Sequence, residues 1–173
     1  MWSSFLPKPT PTTQASIKVA GMVAEQRTLP GPILVIENSW HDLVLMTHVL
    51  DDLNLKGRVI AVHNGMAALD RITEIEEGKV EQPAAIIVDL CLPDIQGEQL
   101  VAEIRQRQSL QNTPVVLFSD APLEELARIS QRFSLQGYCQ KPAGFAEFQQ
   151  CFSQLLLRWV YDEGKQKSAE GIA

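Results

Sequence analysis

The sequence has little of what would tie it to a membrane, a nucleic acid or a disulfide scaffold. No apolar stretch approaches the roughly 18–20 residues that a membrane span needs. The 15 Lys and Arg are outnumbered by 21 Asp and Glu, for a net charge of −6. With no basic stripe, this balance argues against an autonomous nucleic-acid binder. There are 3 cysteines, Cys91, Cys139 and Cys151. Their odd number and the lack of C-x-x-C spacing suggest neither a disulfide framework nor a zinc knuckle. Cys139 and Cys151 read as core packing, and a reducing cytoplasm is the expected compartment. The start, Met1-Trp2-Ser3-Ser4, lacks the basic-then-apolar order of a secretory leader.

What is present is one ordinary domain with two loose ends. At 173 residues and 45% apolar content, the chain can bury a sizeable core. Residues 1–31 carry Pro7, Pro9 and Pro11 among Lys and Thr, and read as a disordered or partly helical arm. Residues 32–160 form the expected domain, and 161–173 a polar tail. Within the domain, short apolar runs at Ile33–Ile36, Val59–Val62, Ala84–Val88 and Val115–Phe118 look like buried strands, with Gly137–Cys139 a shorter fifth.

Helical patterns fill the gaps. Leu43, Met46, Leu50 and Leu53 share a face, as do Leu69, Ile72 and Ile75; Leu100, Val101 and Ile104; and Leu126, Ile129 and Phe133. In the last helix Phe145, Phe148, Phe152, Leu155, Leu156 and Trp159 form the clearest stripe. Strands alternating with helices predict an α/β fold, a doubly wound five-stranded parallel sheet of order 2-1-3-4-5. In such a sheet the site lies at the carboxyl ends of the strands.

Those ends carry Glu37-Asn38, Asp89, Ser119-Asp120 and Lys141. A carboxylate there can act as a nucleophile or hold a hard cation. A hydroxyl and an ammonium beside it can neutralise phosphoryl oxygens as charge moves. Each residue alone also has a plainer role. Ser39 and Asp42 fit a capping box, Asn38 could cap as well, and Lys141 could be a surface lysine. Competing chemistries lack their residues. ENSWHD, residues 37–42, has no glycine for a dinucleotide loop. No GK[ST] marks a P-loop, and Asp89-Leu90-Cys91 is not the D-x-D of a two-aspartate phosphohydrolase.

VDLCLPDIQG, residues 88–97, resembles the phosphoacceptor motif of bacterial response-regulator receiver domains, D-x-x-[ML]-P-x-x-x-G. YCQKP, residues 138–142, resembles the aromatic-x-x-Lys-Pro ending of that family, and the spacings of 30 residues from Asp89 to Ser119 and 22 from Ser119 to Lys141 agree with it. The likeness spans roughly 32–160, and EIRQRQSLQNTPVVLFS with the aromatic last helix is most similar to regulators paired with phytochrome-type kinases.

The resemblance implies a flavodoxin-like receiver fold with Asp89 as phosphoacceptor for a sensor histidine kinase or phosphotransfer protein. Mg2+ would be held by Glu37, Asn38, Asp89 and the backbone carbonyl of Cys91. Ser119 and Lys141 would contact phosphoryl oxygens, Ser119 and Tyr138 would form the switch, and the Lys141–Pro142 bond would be cis. The protein would be a phosphoacceptor rather than an enzyme, cytoplasmic and without an output domain of its own. It would signal through a downstream protein, and the aromatic last helix also allows a homodimer.

Two residues depart from the family pattern. Receivers place two acids after the first strand, whereas here Glu37 is followed by Asn38, which offers a carbonyl oxygen without charge. Magnesium binding is therefore expected to be weakened. Asp120 stands where a small residue is usual, and it or Ser119 is expected to cap the next helix. These departures support a second reading, a phosphorylation-independent pseudo-receiver that acts by protein interaction. His41, His48 and His63 complete no ligand set.

Overall fold

The computed structural model describes residues 29–53 and 59–157; the proline-bearing arm, the C-terminal tail and Trp159 lie outside them. Strands and helices alternate strictly: β1 (Ile33–Ile36), α1 (Trp40–Asp52), β2 (Val59–Val62), α2 (Gly65–Glu76), β3 (Ala85–Val88), α3 (Gly97–Gln106), β4 (Val115–Ser119), α4 (Leu123–Arg132), β5 (Gly137–Gln140) and α5 (Phe145–Leu156). A 3-10 turn, Gln108–Leu110, links α3 to β4. The sheet is parallel throughout, in the order β2-β1-β3-β4-β5, as the alternating pattern predicts. Among the described residues, no helix is long and apolar enough to cross a membrane.

The period of two along each strand divides the core into two layers. Leu34, Ile36, Ile86, Val88, Val115 and Leu117 face the layer built by α2, α3 and α4. Their neighbours Ile33, Val35, Ile87, Val116 and Phe118 face α1 and α5. The three central strands are buried along their whole length, whereas the edge strands β2 and β5 are only partly buried. This explains why β1, β3 and β4 read as continuous apolar runs and β5 did not. On the α1–α5 side Phe118 meets Phe148 edge-on at 5.0 Å and Phe152 at 5.1 Å between ring centroids. Such pairs add about 0.5–1.5 kcal/mol beyond their buried area.

Local chemistry starts the helices that border the strand ends. The Ser39 hydroxyl accepts from Asp42 N–H and caps α1; Asn64 does the same for Ala67 N–H at α2. Asn38 does not cap. Neither Asp120 nor Ser119 caps α4, whose N-cap is Pro122 without a side-chain bond. The Ser119 hydroxyl is held two residues earlier, where it accepts from Ala121 N–H. Glu124 and Glu125 do occupy the first turn of α4, where a helix dipole favours them.

Three further expectations are corrected. Phe145 is 54% exposed, unlike Phe148, Phe152, Leu155 and Leu156, because it lines the open cleft beside His41, Asp42 and Lys141 rather than the packed core. Cys139 and Cys151 pack against the α1–α5 core, but they are also joined by a disulfide between β5 and α5. Packing of a strand against a helix creates that pairing, and spacing along the chain carries no sign of it. The Lys141–Pro142 bond is trans, since no cis peptide occurs among the described residues. A prolyl amide retains a trans preference of about 0.5–1 kcal/mol unless its turn reverses it.

Candidate functional site

Parallel pairing continues one residue beyond the strands and sets the carboxyl edge. Glu37 N–H donates to the Val62 carbonyl at 3.0 Å, Asp89 N–H to Ile36 at 2.9 Å, and Lys141 N–H to Ser119 at 2.9 Å. Glu37 and Asp89 thus stand level, with Ser119 one residue and Lys141 two residues further along the same edge. All four are buried: Glu37 0%, Asp89 3%, Ser119 0% and Lys141 8% exposed.

Their side chains meet. The Ser119 hydroxyl donates to Asp89 Oδ1 at 2.5 Å and accepts from Leu90 N–H at 3.2 Å. Lys141 Nζ donates to Glu37 Oε2 at 2.7 Å and to Asp89 Oδ2 at 2.8 Å. The loop after Asp89 is pinned on both sides. Cys91 N–H donates to Asp89 Oδ1 at 2.9 Å. Asp94 accepts from Gly65 N–H and Met66 N–H, both at 2.8 Å, which latches the loop to the first turn of α2. Gly97 lets α3 begin directly against this loop, because a Cβ there would lie 2.4 Å from Leu90 Cα.

A third acid, absent from the strand-end candidates, completes the cluster. Asp42 Oδ2 accepts from Lys141 Nζ at 2.8 Å. The S-x-x-D pattern assigns Asp42 to capping, but its side chain does not turn back to Ser39. Ser39 N–H is taken instead by Glu37 Oε1 at 2.7 Å, so the Asp42 carboxylate is free to point over the sheet edge. Asn38 is exposed beside it. Asp120, with a side chain 69% exposed, brings Oδ2 to 4.0 Å from Lys141 Nζ. Cys91 sits in the loop with Sγ 3.6 Å from the Ser119 hydroxyl. Tyr138 lies on β5 opposite Leu117 and is 42% exposed.

The site is short of positive charge, since one ammonium faces three close carboxylates. Burial pushes the Glu37 carboxyl up to about 7, even though the Lys141 ammonium and the Ser39 N–H pull the other way. Burial also acts on Lys141, downward, but its hydrogen bonds to Asp42, Asp89 and Glu37 outweigh that and hold the ammonium well above its ordinary range. For Asp42, partial burial is outweighed by Lys141 and then His41, so its carboxyl lies below its usual value. Among the described residues no set of three His, Cys, Asp or Glu side chains is arranged to hold a metal; Lys141 lies between the acids and takes their oxygens. The donors are hard oxygens with excess negative charge, and this chemistry fits a divalent cation such as Mg2+. A cleft of about 360 Å3, lined by His41, Asp42, Lys141 and Phe145 among others, opens onto Lys141 from solvent.

A five-stranded parallel sheet of order β2-β1-β3-β4-β5, whose carboxyl edge gathers an acid, a hydroxyl and a lysine around one buried aspartate, defines a doubly wound α/β protein with a polar strand-end site. The chain matches the response regulator receiver domain over residues 33–152, and it belongs to that family. It is 28% identical over 122 residues to the response regulator Rcp1 of Synechocystis sp., which covers 69% of this chain and 82% of Rcp1. The structure of phosphorylated RcpA, a cyanobacterial phytochrome response regulator, superposes with a TM-score of 0.69 at 25% identity, over 76% of this chain and 95% of RcpA. The Mn2+-bound form of Rcp1 superposes with a TM-score of 0.67 at 25% identity, over 76% and 96% of the two chains.

Proposed function

We propose that this receiver accepts a phosphoryl group on Asp89 from the phosphohistidine of a sensor kinase or phosphotransfer protein and signals by binding a downstream protein. The observation that carries this reading is the convergence of the Ser119 hydroxyl and the Lys141 ammonium on the two carboxylate oxygens of Asp89. One Asp89 oxygen attacks phosphorus, the P–N bond breaks, and the imidazole departs with the electron pair, leaving an acyl phosphate. The Ser119 hydroxyl rotates from Asp89 to a phosphoryl oxygen, and Lys141 shifts to another. Glu37, Asn38, Asp89 and the backbone carbonyl of Cys91 would hold Mg2+, which would supply further neutralisation of phosphoryl charge. Movement of Ser119 then biases the rotamer of Tyr138 on β5 and with it the α4–β5–α5 surface. The chemistry is self-phosphotransfer and self-dephosphorylation rather than turnover of a separate substrate. The same reading places the chain in the cytoplasm, with a phytochrome-type kinase as the donor class suggested by its relatives.

Incubation with acetyl phosphate and magnesium, read by intact mass, should give a single phosphoryl adduct that Asp89→Ala abolishes. No adduct at high magnesium would sink the proposal. It would favour the second reading, a phosphorylation-independent interaction module, for which the uncharged Asn38 and the approach of Asp120 to Lys141 are the supporting observations.

A further inference from the structure

We infer that Asp42, four residues beyond Asn38, supplies the third carboxylate charge, beside Glu37 and Asp89, for the divalent cation of this site. This rests on the phosphoacceptor reading and concerns which residues serve it. Three carboxylate oxygens from three different elements ring one point. Glu37 Oε2 follows β1, Asp42 Oδ2 comes from α1 and Asp89 Oδ2 follows β3, each within 2.8 Å of the Lys141 nitrogen. The position next to Glu37, where charge is missing, holds the exposed Asn38. Asp42 compensates from the third position of α1. Its backbone N–H is fixed by the Ser39 hydroxyl at 3.2 Å, which aims the side chain at the sheet edge. Its other oxygen, Oδ1, lies 3.4 Å from exposed His41 Nδ1, so the carboxylate is steadied without being neutralised by a buried partner there.

Asp42 brings to the site a charge that Asn38 does not carry. Without Asp42, two carboxylates would face one ammonium and the excess negative charge would fall by half. A cation that displaces Lys141 from these oxygens then gains correspondingly less. Even changes to groups behind the direct ligands of a metal cost about 10–100-fold in affinity or activity.

Calorimetric titration with MgCl2, without a phosphodonor, tests this. Asp42→Asn should weaken magnesium binding by about tenfold or more, and adding Asn38→Asp to Asp42→Asn should restore it. The Ser39 cap survives in both variants because it uses the backbone N–H of residue 42. If Asp42 acted only by holding Lys141, Asp42→Asn would have no effect in a Lys141→Met background; loss of affinity there as well supports a direct role for Asp42 in cation binding. Magnesium affinity unchanged in Asp42→Asn, no magnesium binding by the unaltered chain, or an effect that vanishes in Lys141→Met would each overturn the inference. Should Lys141→Met fail to fold, the Asn38→Asp restoration decides. Adduct formation on Asp89 with unchanged magnesium affinity in Asp42→Asn defeats this inference alone. Weakened magnesium binding in Asp42→Asn with no adduct on the unaltered chain defeats the phosphoacceptor reading alone.

Discussion

At the sheet edge Lys141, its side chain 3% exposed, faces the carboxylates of Glu37, Asp42 and Asp89. On the α3–α4 surface the proportion is reversed, and Glu98 faces Arg128 and Arg132, whose side chains are 53% and 64% exposed. Bond lengths in the two clusters are alike, 2.7–2.8 Å to Lys141 and 2.7 Å to each arginine. Water makes the difference. Around Glu98 it screens the surplus guanidinium, and long side chains lose entropy for a small Coulombic return. At the sheet edge the surplus is negative and unscreened, and it surfaces as a Glu37 carboxyl pushed up to about 7. The buried cluster has an unmet demand for positive charge, and function is proposed to follow from that demand.

The largest expected effect comes from removing the one cation. Lys141→Ala leaves Glu37 and Asp89 buried without their counter-charge, so urea unfolding in EDTA should show a loss of about 3–5 kcal/mol. A loss below about 1 kcal/mol would put the buried cluster on the same footing as the surface one and break the contrast.

Next comes pH. The folded-state pKa of Glu37, about 7, lies above its ordinary 4.5, so the folded protein holds this proton more tightly than the unfolded chain. The associated stability is complete below pH 4.5 and is lost as pH rises through about 7. In EDTA, stability should therefore fall by on the order of 2–3 kcal/mol across that window, and Glu37→Gln should flatten the fall. The other two shifts act elsewhere. Asp42, with its pKa lowered from 3.8, loses stability only in stronger acid. Lys141, raised from 10.5, loses it only in stronger alkali. A stability that rises with pH in both forms would show that burial does not dominate at Glu37.

Gly97→Ala probes the scaffold around the buried cluster. With a Cβ 2.4 Å from Leu90 Cα, the backbone after Asp89 must shift, at about 1–3 kcal/mol by thermal unfolding; an unchanged melting temperature would mean that the loop yields freely. Smallest of all, Glu98→Gln should cost at most about 1 kcal/mol, and that loss should shrink as salt is raised toward about 1 M. A larger or salt-insensitive loss would show that the surface cluster is not governed by solvent.

The layered fold was legible because its signals are local. β1, β3 and β4 stand out as apolar runs since helices cover both sheet faces, and α5 shows its stripe at Phe148, Phe152 and Leu155 since one face meets the sheet. Glu37, Asp89, Ser119 and Lys141 could be named because a parallel sheet brings the ends of its strands to one edge. Asp42 escaped because S-x-x-D has a sufficient local explanation in capping, and nothing in the chain says which way the side chain at that position points. Its partner Lys141 lies 99 residues away. Cys139 and Cys151 escaped for a related reason, as partners on neighbouring elements leave no periodic trace.

The sequence by itself determined the order of elements, the two apolar layers and the set of polar residues delivered to the carboxyl edge, because periods of two and of 3.6 are written residue by residue. Only the tertiary structure decided that Lys141 would sit among three acids rather than two, with Asp42 the third, and that Phe145 would be left in solvent. Those outcomes depend on helix rotation and on how far each element overhangs the sheet, which are set when the layers pack.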